Sequence, residues 1–88
     1  SANAAHCTVY IRSTGKVKNL YKHVLEMPRV LDARIVGQAV EVDIDGKDES
    51  CGDVLAGLIK DEHHIIEFKH IKAGLEDIFM DITKGELN

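Results

Sequence analysis

The sequence predicts one small α+β domain, and three observations lead to that class. Four short segments alternate apolar and polar residues, which is typical of half-buried strands. Two segments between the strands, and one after the last, repeat apolar residues at helical spacing. The length of 88 residues suits a single domain. The resulting order, β-α-β-β-α-β with an appended C-terminal helix, is that of the split-βαβ, or ferredoxin-like, antiparallel sheet.

The first strand and the first helix are distinguished by a change of period. The segment CTVYIRS (7–13) alternates and predicts a strand. Helical spacing begins at Val17, and Pro28 forces the helix to end just before it. We expect Ser13 or Thr14 to cap this helix. Its apolar stripe comprises Val17, Leu20, Tyr21, Val24 and Leu25.

The second half of the chain repeats this logic. VLDARIV (30–36) and AVEVDID (39–45) predict two antiparallel strands that join in a hairpin around Gly37 and Gln38. The second helix is predicted to start at a weak capping box of Ser50 and Asp53. Its stripe comprises Val54, Leu55, Leu58 and Ile59, and the fourth strand, HIIEFKHI, covers 64–71.

Because two helices cover one face of such a sheet, the other face should show what the domain binds. The residues expected on that face are Thr8, Tyr10, Arg12, Glu41, Asp43 and Asp45. Those expected beneath the helices are Val9, Ile11, Val40, Val42 and Ile44. The fourth strand has apolar residues on both parities, Ile66 and Phe68 on one and Ile65 and Ile71 on the other. Its second face therefore also needs cover.

The end of the chain, AGLEDIFMDITKGEL (73–87), predicts a terminal helix with a complete apolar stripe. That stripe comprises Leu75, Ile78, Phe79 and Ile82. Glu76 and Asp77 fall in the first turn and Gly85 at the C-cap, in agreement with the helix dipole. A helix of about ten residues is marginal alone in water, so this one is expected to dock on something.

Composition excludes several classes of function. The formal net charge is -4 and the sequence has no basic run, which disfavours nucleic acid and direct membrane insertion. Residues 1–6 are interpreted as an expression scar or a disordered leader, and 7–88 as one domain. The longest apolar stretch is too short to span a bilayer and the first residues show no signal pattern, so we expect a cytoplasmic location. Cys7 and Cys51 lack the spacing of a disulfide scaffold, so we expect them to be reduced.

The residues that could carry chemistry favour no enzyme and no bound cofactor. His63, His64 and His70 have poor spacing for a metal, since neighbouring residues of a strand point to opposite faces. The strand acids Glu41 and Asp43 are expected to be solvated rather than catalytic. Hydrolase, zinc-protease and phosphate-loop signatures are absent from the sequence.

The terminal stretch AGLEDIFMDITKGE resembles the Leu-Glu-Asp-(Val/Ile)-Phe-x-x-(Leu/Ile)-Thr ending of ATP-binding subunits of ABC transporters, mostly of the multidrug and export type. The resemblance extends upstream through MPRVLDARIVGQAVEVDID and covers roughly residues 7 to 86. Two positions depart from the family pattern. Gly74 stands where serine is common, and Arg29 stands where glycine commonly follows the proline.

The resemblance implies that this chain is the C-terminal accessory domain of such a subunit. The Walker motifs, ATP and Mg²⁺ would belong to a cassette domain upstream, and the parent complex would lie at the cytoplasmic face of the membrane. The implied partners are that ATP-binding cassette domain and the membrane permease subunit, with a homodimer as a further partner. The contact helix would comprise Leu75, Glu76, Asp77, Ile78, Phe79 and Ile82, and no residue here would be catalytic.

Three alternatives remain open from the sequence. The terminal helix could instead cover its own sheet over Ile65 and Ile71, which we expect somewhat more than contact with a partner. The domain could be a small-ligand-binding regulatory domain of the amino-acid-sensing, ACT-like type, with its ligand near Thr14, Gly15 and Lys16. An acylphosphatase-like enzyme ranks last, because the segment STGKVKN lacks the required glycine-rich loop with its following arginine.

Overall fold

A computed structural model of the chain describes residues 6–71. Its elements are β1 (His6–Ser13), α1 (Val17–Leu25), β2 (Val30–Val36), β3 (Ala39–Asp45), α2 (Asp48–Lys60) and β4 (Ile65–Ile71). The predicted order of these six elements is confirmed. The predicted terminal helix, with its contact residues Leu75, Glu76, Asp77, Ile78, Phe79 and Ile82, lies outside the described residues. No helix within 6–71 is long and apolar enough to cross a membrane.

The strands form one four-stranded antiparallel sheet in the order β2-β3-β1-β4. The fold is therefore α+β, as the sequence predicts. Strand β1 is internal and pairs with β3 on one side and with β4 on the other. Helix α1 carries the chain from β1 to β2, and the hairpin turn at Gly37 and Gln38 then returns it as β3 between them. Gly37 has a φ of 62°, which glycine adopts at little cost.

One face of the sheet forms the core with the two helices. The five residues predicted to lie beneath the helices, Val9, Ile11, Val40, Val42 and Ile44, all have zero exposure. Leu20 and Val24 of α1, and Val54 and Leu58 of α2, close this core from the other side. Strict alternation along β1 and β3 therefore locates the core correctly.

The predicted capping residues of both helices are wrong, although α1 does begin at Val17, where the helical spacing begins. The cap of α1 is Lys16, and the cap of α2 is Lys47, and neither caps its helix through a side-chain hydrogen bond. Ser50 lies inside α2 and is buried. The reason lies in Gly46, which has a φ of 105°; a Cβ at this position would lie 2.9 Å from the Ser50 Cβ. The chain thus turns directly into α2 without a capping box.

A register shift in β4 explains why this strand has apolar residues at both odd and even positions. The pairing changes between Arg12 and Ser13, so Ser13 lies opposite Ile65 while Ile11 lies opposite Phe68. Ile65 and Phe68 therefore both pack against the core. Ile66 is left 52% exposed. A bulge of this kind adds one residue to one strand and moves the following side chains to the other face.

The two cysteines differ from expectation. Cys7 at the start of β1 and Cys51 in the first turns of α2 form a disulfide, with Cα atoms 7.3 Å apart. Both side chains are buried. The prediction of two free thiols is therefore wrong for this structure. The two cysteines are 44 residues apart in the sequence, and they meet because α2 packs across the end of β1.

Candidate functional site

The face of the sheet opposite the helices, which we call the open face, carries polar side chains from all four strands. Its members are Thr8, Tyr10 and Arg12 of β1, Asp32 and Arg34 of β2, Glu41, Asp43 and Asp45 of β3, and Glu67, Lys69 and Ile71 of β4. All six residues that the sequence assigns to this face from β1 and β3 are found there. Arg34, Glu67 and Lys69 come from the outer strands and were not selected from the sequence.

Arg34 is the centre of the first half of the open face. Its Nε donates to Glu41 Oε1 at 3.1 Å, and its Nη1 and Nη2 donate to the two carboxylate oxygens of Asp43 at 3.1 and 3.2 Å. Thr8 Oγ1 donates to Asp43 Oδ1 at 2.8 Å. These bonds join three strands, and the paired geometry at Asp43 is the fork that a guanidinium makes with a carboxylate.

The electrostatics follow from these contacts. The hydrogen bonds from Arg34 hold the pKa of Asp43 below its usual value, with a further contribution from Thr8 and an opposing one from partial burial. The same pair raises the pKa of Arg34 further above its already high value. Both groups therefore remain charged over the whole physiological pH range.

The second half of the open face joins β1 to β4. Arg12 Nε donates to Glu67 Oε1 at 3.0 Å, and Lys69 Nζ lies 3.2 Å from Glu67 Oε2. Lys69 Nζ also sits 4.6 Å from the centre of the Tyr10 ring, a cation-π contact. The hydrogen bond from Arg12, followed by that from Lys69, lowers the pKa of Glu67. This half is thus another set of permanently charged, mutually paired groups.

Chemically, the open face suits recognition better than proton transfer. A general acid or base works best with a pKa near neutrality, whereas the two perturbed carboxylates here are shifted away from it. What the face presents is a fixed pattern of acids and bases. Among the described residues, no group of three or more histidines, cysteines or acids is placed to hold a metal ion.

A second polar cluster lies between the two helices. His23 Nε2 is 2.9 Å from Asp61 Oδ2, and His63 Nε2 is 3.1 Å from His23 Nδ1. The two rings meet edge to face with centres 4.7 Å apart. Partial burial lowers the pKa of His63, and the nearby His23 lowers it further, while Asp61 opposes the shift. The neutral form of His63 is therefore favoured in the folded state.

The sequence did not pair these histidines. The predicted fourth strand covered 64–71 with His63 directly before it, whereas β4 begins at Ile65, so His63 and His64 both lie in the segment between α2 and β4. The backbone N–H of His63 donates to the Leu58 carbonyl at 2.9 Å, which turns its ring back toward α1. His23 and His63 are 40 residues apart, and no local pattern signals their contact.

His23, one of the two paired histidines, borders a groove of about 500 Å³. This groove runs between the end of α1, the turn that follows it, and α2. It is lined by His23, Glu26, Met27, Pro28, Arg29, Asp53, Val54, Gly57 and Asp61. The Met27 side chain reaches close to Gly57, where a Cβ would lie 2.8 Å from the Met27 Cε. The lining mixes acids with apolar atoms and identifies no ligand class.

The loop that the ACT-like alternative uses is placed at the surface. Thr14, Gly15 and Lys16 are exposed, and no atom lies within 4 Å of the place where a Gly15 Cβ would be. The backbone N–H of Thr14 donates to the His64 carbonyl at 3.1 Å. The loop is thus tied to the segment before β4 but forms no pocket with the described part of the chain.

Comparison with known proteins does not assign this chain to a protein family. No family model matches the chain, and no curated protein or solved structure matches it either.

Proposed function

We propose that this chain is a non-catalytic, regulatory C-terminal accessory domain of the ATP-binding subunit of an export-type ABC transporter. The observation that carries the proposal is the direct junction of the β-α-β-β-α-β unit with the Leu-Glu-Asp-Ile-Phe motif. Strand β4 ends at Ile71, and the motif begins at Leu75. The family pattern has the same sequence of elements before the same motif.

The backbone at Arg29, where this sequence departs from the family pattern, also supports the resemblance. Arg29 has a φ of 75°, in the left-handed region that glycine adopts without cost. The family commonly has glycine at this place. The Arg29 carbonyl accepts a hydrogen bond from the Asp45 N–H at 2.7 Å, so the turn is fixed to the end of β3. The backbone here therefore has the shape that the family's glycine would suit.

We also propose that the fold is the split-βαβ, or ferredoxin-like, one. Antiparallel pairing of β1 with β3 and of β3 with β2 makes β1 and β2 parallel, with β3 between them. Helix α1 makes the connection across that gap. This is the arrangement that gives the split-βαβ unit its name.

In this role the domain contributes contacts, and the chemistry belongs to the parent protein. ATP and Mg²⁺ would bind the cassette domain, which is the first proposed partner, and the permease subunit would belong to the same complex at the cytoplasmic side of the membrane. Permanently charged groups of the open face, such as Arg34 and Asp43, suit a surface that fixes orientation against a partner. Such contacts would bias closure or assembly of the subunits.

A cytoplasmic location has a direct chemical consequence for Cys7 and Cys51. Thiols are ordinarily kept reduced there, whereas the structure joins Cys7 and Cys51 in a disulfide, so the redox state of this pair tests the location. Under a cytoplasmic location, cells lysed into denaturant with an alkylating reagent should yield protein with both cysteines alkylated; the denaturant is needed because both side chains are buried in the folded chain. Recovery of the intact disulfide under that quench would count against the cytoplasmic location.

The function is tested with the cassette domain encoded upstream in the same gene. We expect the isolated chain to bind that cassette in a titration and to show no ATP hydrolysis of its own. Phe79→Ala, within the motif, should weaken binding at least about tenfold, which corresponds to about 1.4 kcal/mol. The control, Ile66→Ala, removes a 52% exposed side chain of β4 and should leave binding unchanged.

Two results would overturn the proposal. One is a parent gene without Walker motifs upstream of this domain. The other is ATP hydrolysis that copurifies with the isolated chain and is lost on substitution of the chain's own residues.

A further inference from the structure

We propose that strand β2 is a self-recognition edge, through which two copies of this chain pair antiparallel about Ala33 and join their sheets into one of eight strands. The inference rests on the sequence and surroundings of β2 alone. It does not depend on the proposed function, and its test requires neither ATP nor a cassette domain.

Strand β2 is an outer strand of the sheet with an unusually apolar surface. Only β3 pairs with it among the described residues. Of its seven residues only Ala33 is buried, while Leu31, Ile35 and Val36 are 61%, 42% and 44% exposed. An outer strand offers a row of backbone N–H and C=O groups to any further strand. Exposed apolar side chains along such a row favour pairing.

The order of residues in β2 identifies the strand that fits it. Reading VLDARIV in reverse keeps its apolar positions apolar and exchanges Asp32 with Arg34, so the segment is complementary to itself. In an antiparallel pair centred on Ala33, Leu31 lies opposite the partner's Ile35. Asp32 lies opposite the partner's Arg34. Two-fold symmetry repeats every contact, so each copy supplies the complement of the other.

Charges on the open face favour this arrangement. Within one chain Asp32 lies directly opposite Asp43, an unfavourable pairing of like charges. The paired strand would bring the partner's Arg34 to the other side of Asp32. Arg34 uses three N–H groups on Glu41 and Asp43, and a guanidinium has five. Two donors remain for a further acid, and Asp32 is an exposed one.

The other outer strand, β4, lacks these properties. It carries Glu67, Lys69 and His70, and its register is interrupted opposite the end of β1. Charged residues and bulges are the features that protect an outer strand from pairing. Strand β2 also has two charged residues, Asp32 and Arg34, but these pair with each other across the proposed interface. It contains no lysine and no proline, and its one irregularity lies at its start, between Val30 and Asp32. The register from Asp32 to Val36 is regular.

The test is the mass of the chain in solution as a function of concentration. A seven-residue strand makes a small interface, so we expect a dimer that dissociates on dilution. Sedimentation equilibrium should show a mass approaching twice 9.7 kDa at high concentration. Asp32→Arg places two like-charge pairs in the interface and should raise the dissociation constant at least about tenfold.

Asp45→Arg is the matched control, because Asp45 is also an exposed acid of the open face but belongs to the internal strand β3. It should dimerise as wild type does. If Asp32→Arg fails to fold, Ile35→Lys replaces it, since a lysine on an outer strand blocks pairing. Hydrogen exchange should show amides of β2, and not those of β4, gaining protection as concentration rises.

Three outcomes would overturn the inference. The first is a wild-type chain that stays monomeric at millimolar concentration. The second is a folded Asp32→Arg variant that dimerises as tightly as wild type. The third is a dimer whose concentration-dependent protection appears in β4 or the helices instead of β2.

Discussion

The two faces of this sheet are built from the same strands, but one is apolar and buried whereas the other is charged and partly exposed. Beneath the helices, residues such as Ile11, Val42 and Ile44 have no exposed surface. On the open face, one position away along each strand, Arg12, Glu41 and Asp43 are partly exposed and paired by charge. Burial of apolar surface supplies the main free energy of folding, whereas exposed ion pairs contribute little to it.

The contacts of the open face hold its charged side chains in fixed positions. Asp43 accepts hydrogen bonds from both Arg34 and Thr8. Ordinary solvated side chains do not need such double bonding. Such bonding fixes the direction of each charge. A partner would therefore meet a preorganised pattern and would pay little entropy to align it.

The largest expected effect tests the apolar face. Ile44→Ala removes a fully buried side chain and should lower the free energy of unfolding by about 2–5 kcal/mol. Ile66→Ala is the matched change at an exposed isoleucine and should cost less than about 1 kcal/mol. Urea denaturation of both variants measures the difference. Equal losses would mean that Ile66 is covered in solution.

A smaller effect is expected on the open face. Asp43→Asn should cost about 1 kcal/mol at pH 7, because it removes the charge that Arg34 binds, at a partly solvated site. The folded pKa of Asp43 is below its usual 3.8, so its contribution is complete above that pH and is lost as the pH falls through the folded pKa.

The stability difference between wild type and Asp43→Asn should therefore narrow progressively as the pH falls below 3.8, which denaturation curves at pH 7 and at several lower pH values would test. Asp45→Asn serves as control, since the structure gives Asp45 no ion pair among the described residues. A difference that persisted unchanged in acid would show that packing, and not charge, is responsible.

The smallest effect is expected at the polar pair on the helix side of the sheet. The lowered pKa of His63 means that its contribution is present above the usual value of 6.5 and is lost as the pH falls through the folded pKa. Wild type should therefore lose more melting temperature between pH 7.5 and 5.5 than His63→Gln does.

His70→Gln, at an exposed position of β4, should behave as wild type in the same melts. Equal pH dependence in all three proteins would contradict a role for the His23–His63 contact. A loss larger than that of Asp43→Asn would reverse the order proposed here for the two sides of the sheet.

The features that were predicted correctly from the sequence are those that local interactions determine. Alternation along β1 and β3 is a local property, and it placed Val9 and Tyr10 on the correct faces because neighbouring side chains in a strand must diverge. The same reasoning located the turn at Gly37. These elements needed no knowledge of the remainder of the chain.

The failures share a non-local cause. Caps at Ser13 and Ser50 were predicted from residue type, but the helices begin where the backbone leaves β1 and passes Gly46. The register of β4 depends on a bulge that is set against Arg12 and Ser13 of another strand. The contacts His23–His63 and Cys7–Cys51 arise only when helices and sheet are assembled.

Of the four strands of the sheet, β1 is synthesised first, and yet it occupies an internal place. Both of its neighbours come later, and Thr8 does not meet Ile71 until β4 has been synthesised. During translation, one or both edges of β1 therefore stay unpaired until β3 and β4 have been synthesised, and the sheet cannot be completed before then. A ribosome stalled before β4 would present an apolar strand to the cell's chaperones, and a chain cut there would be an aggregation hazard rather than a smaller domain.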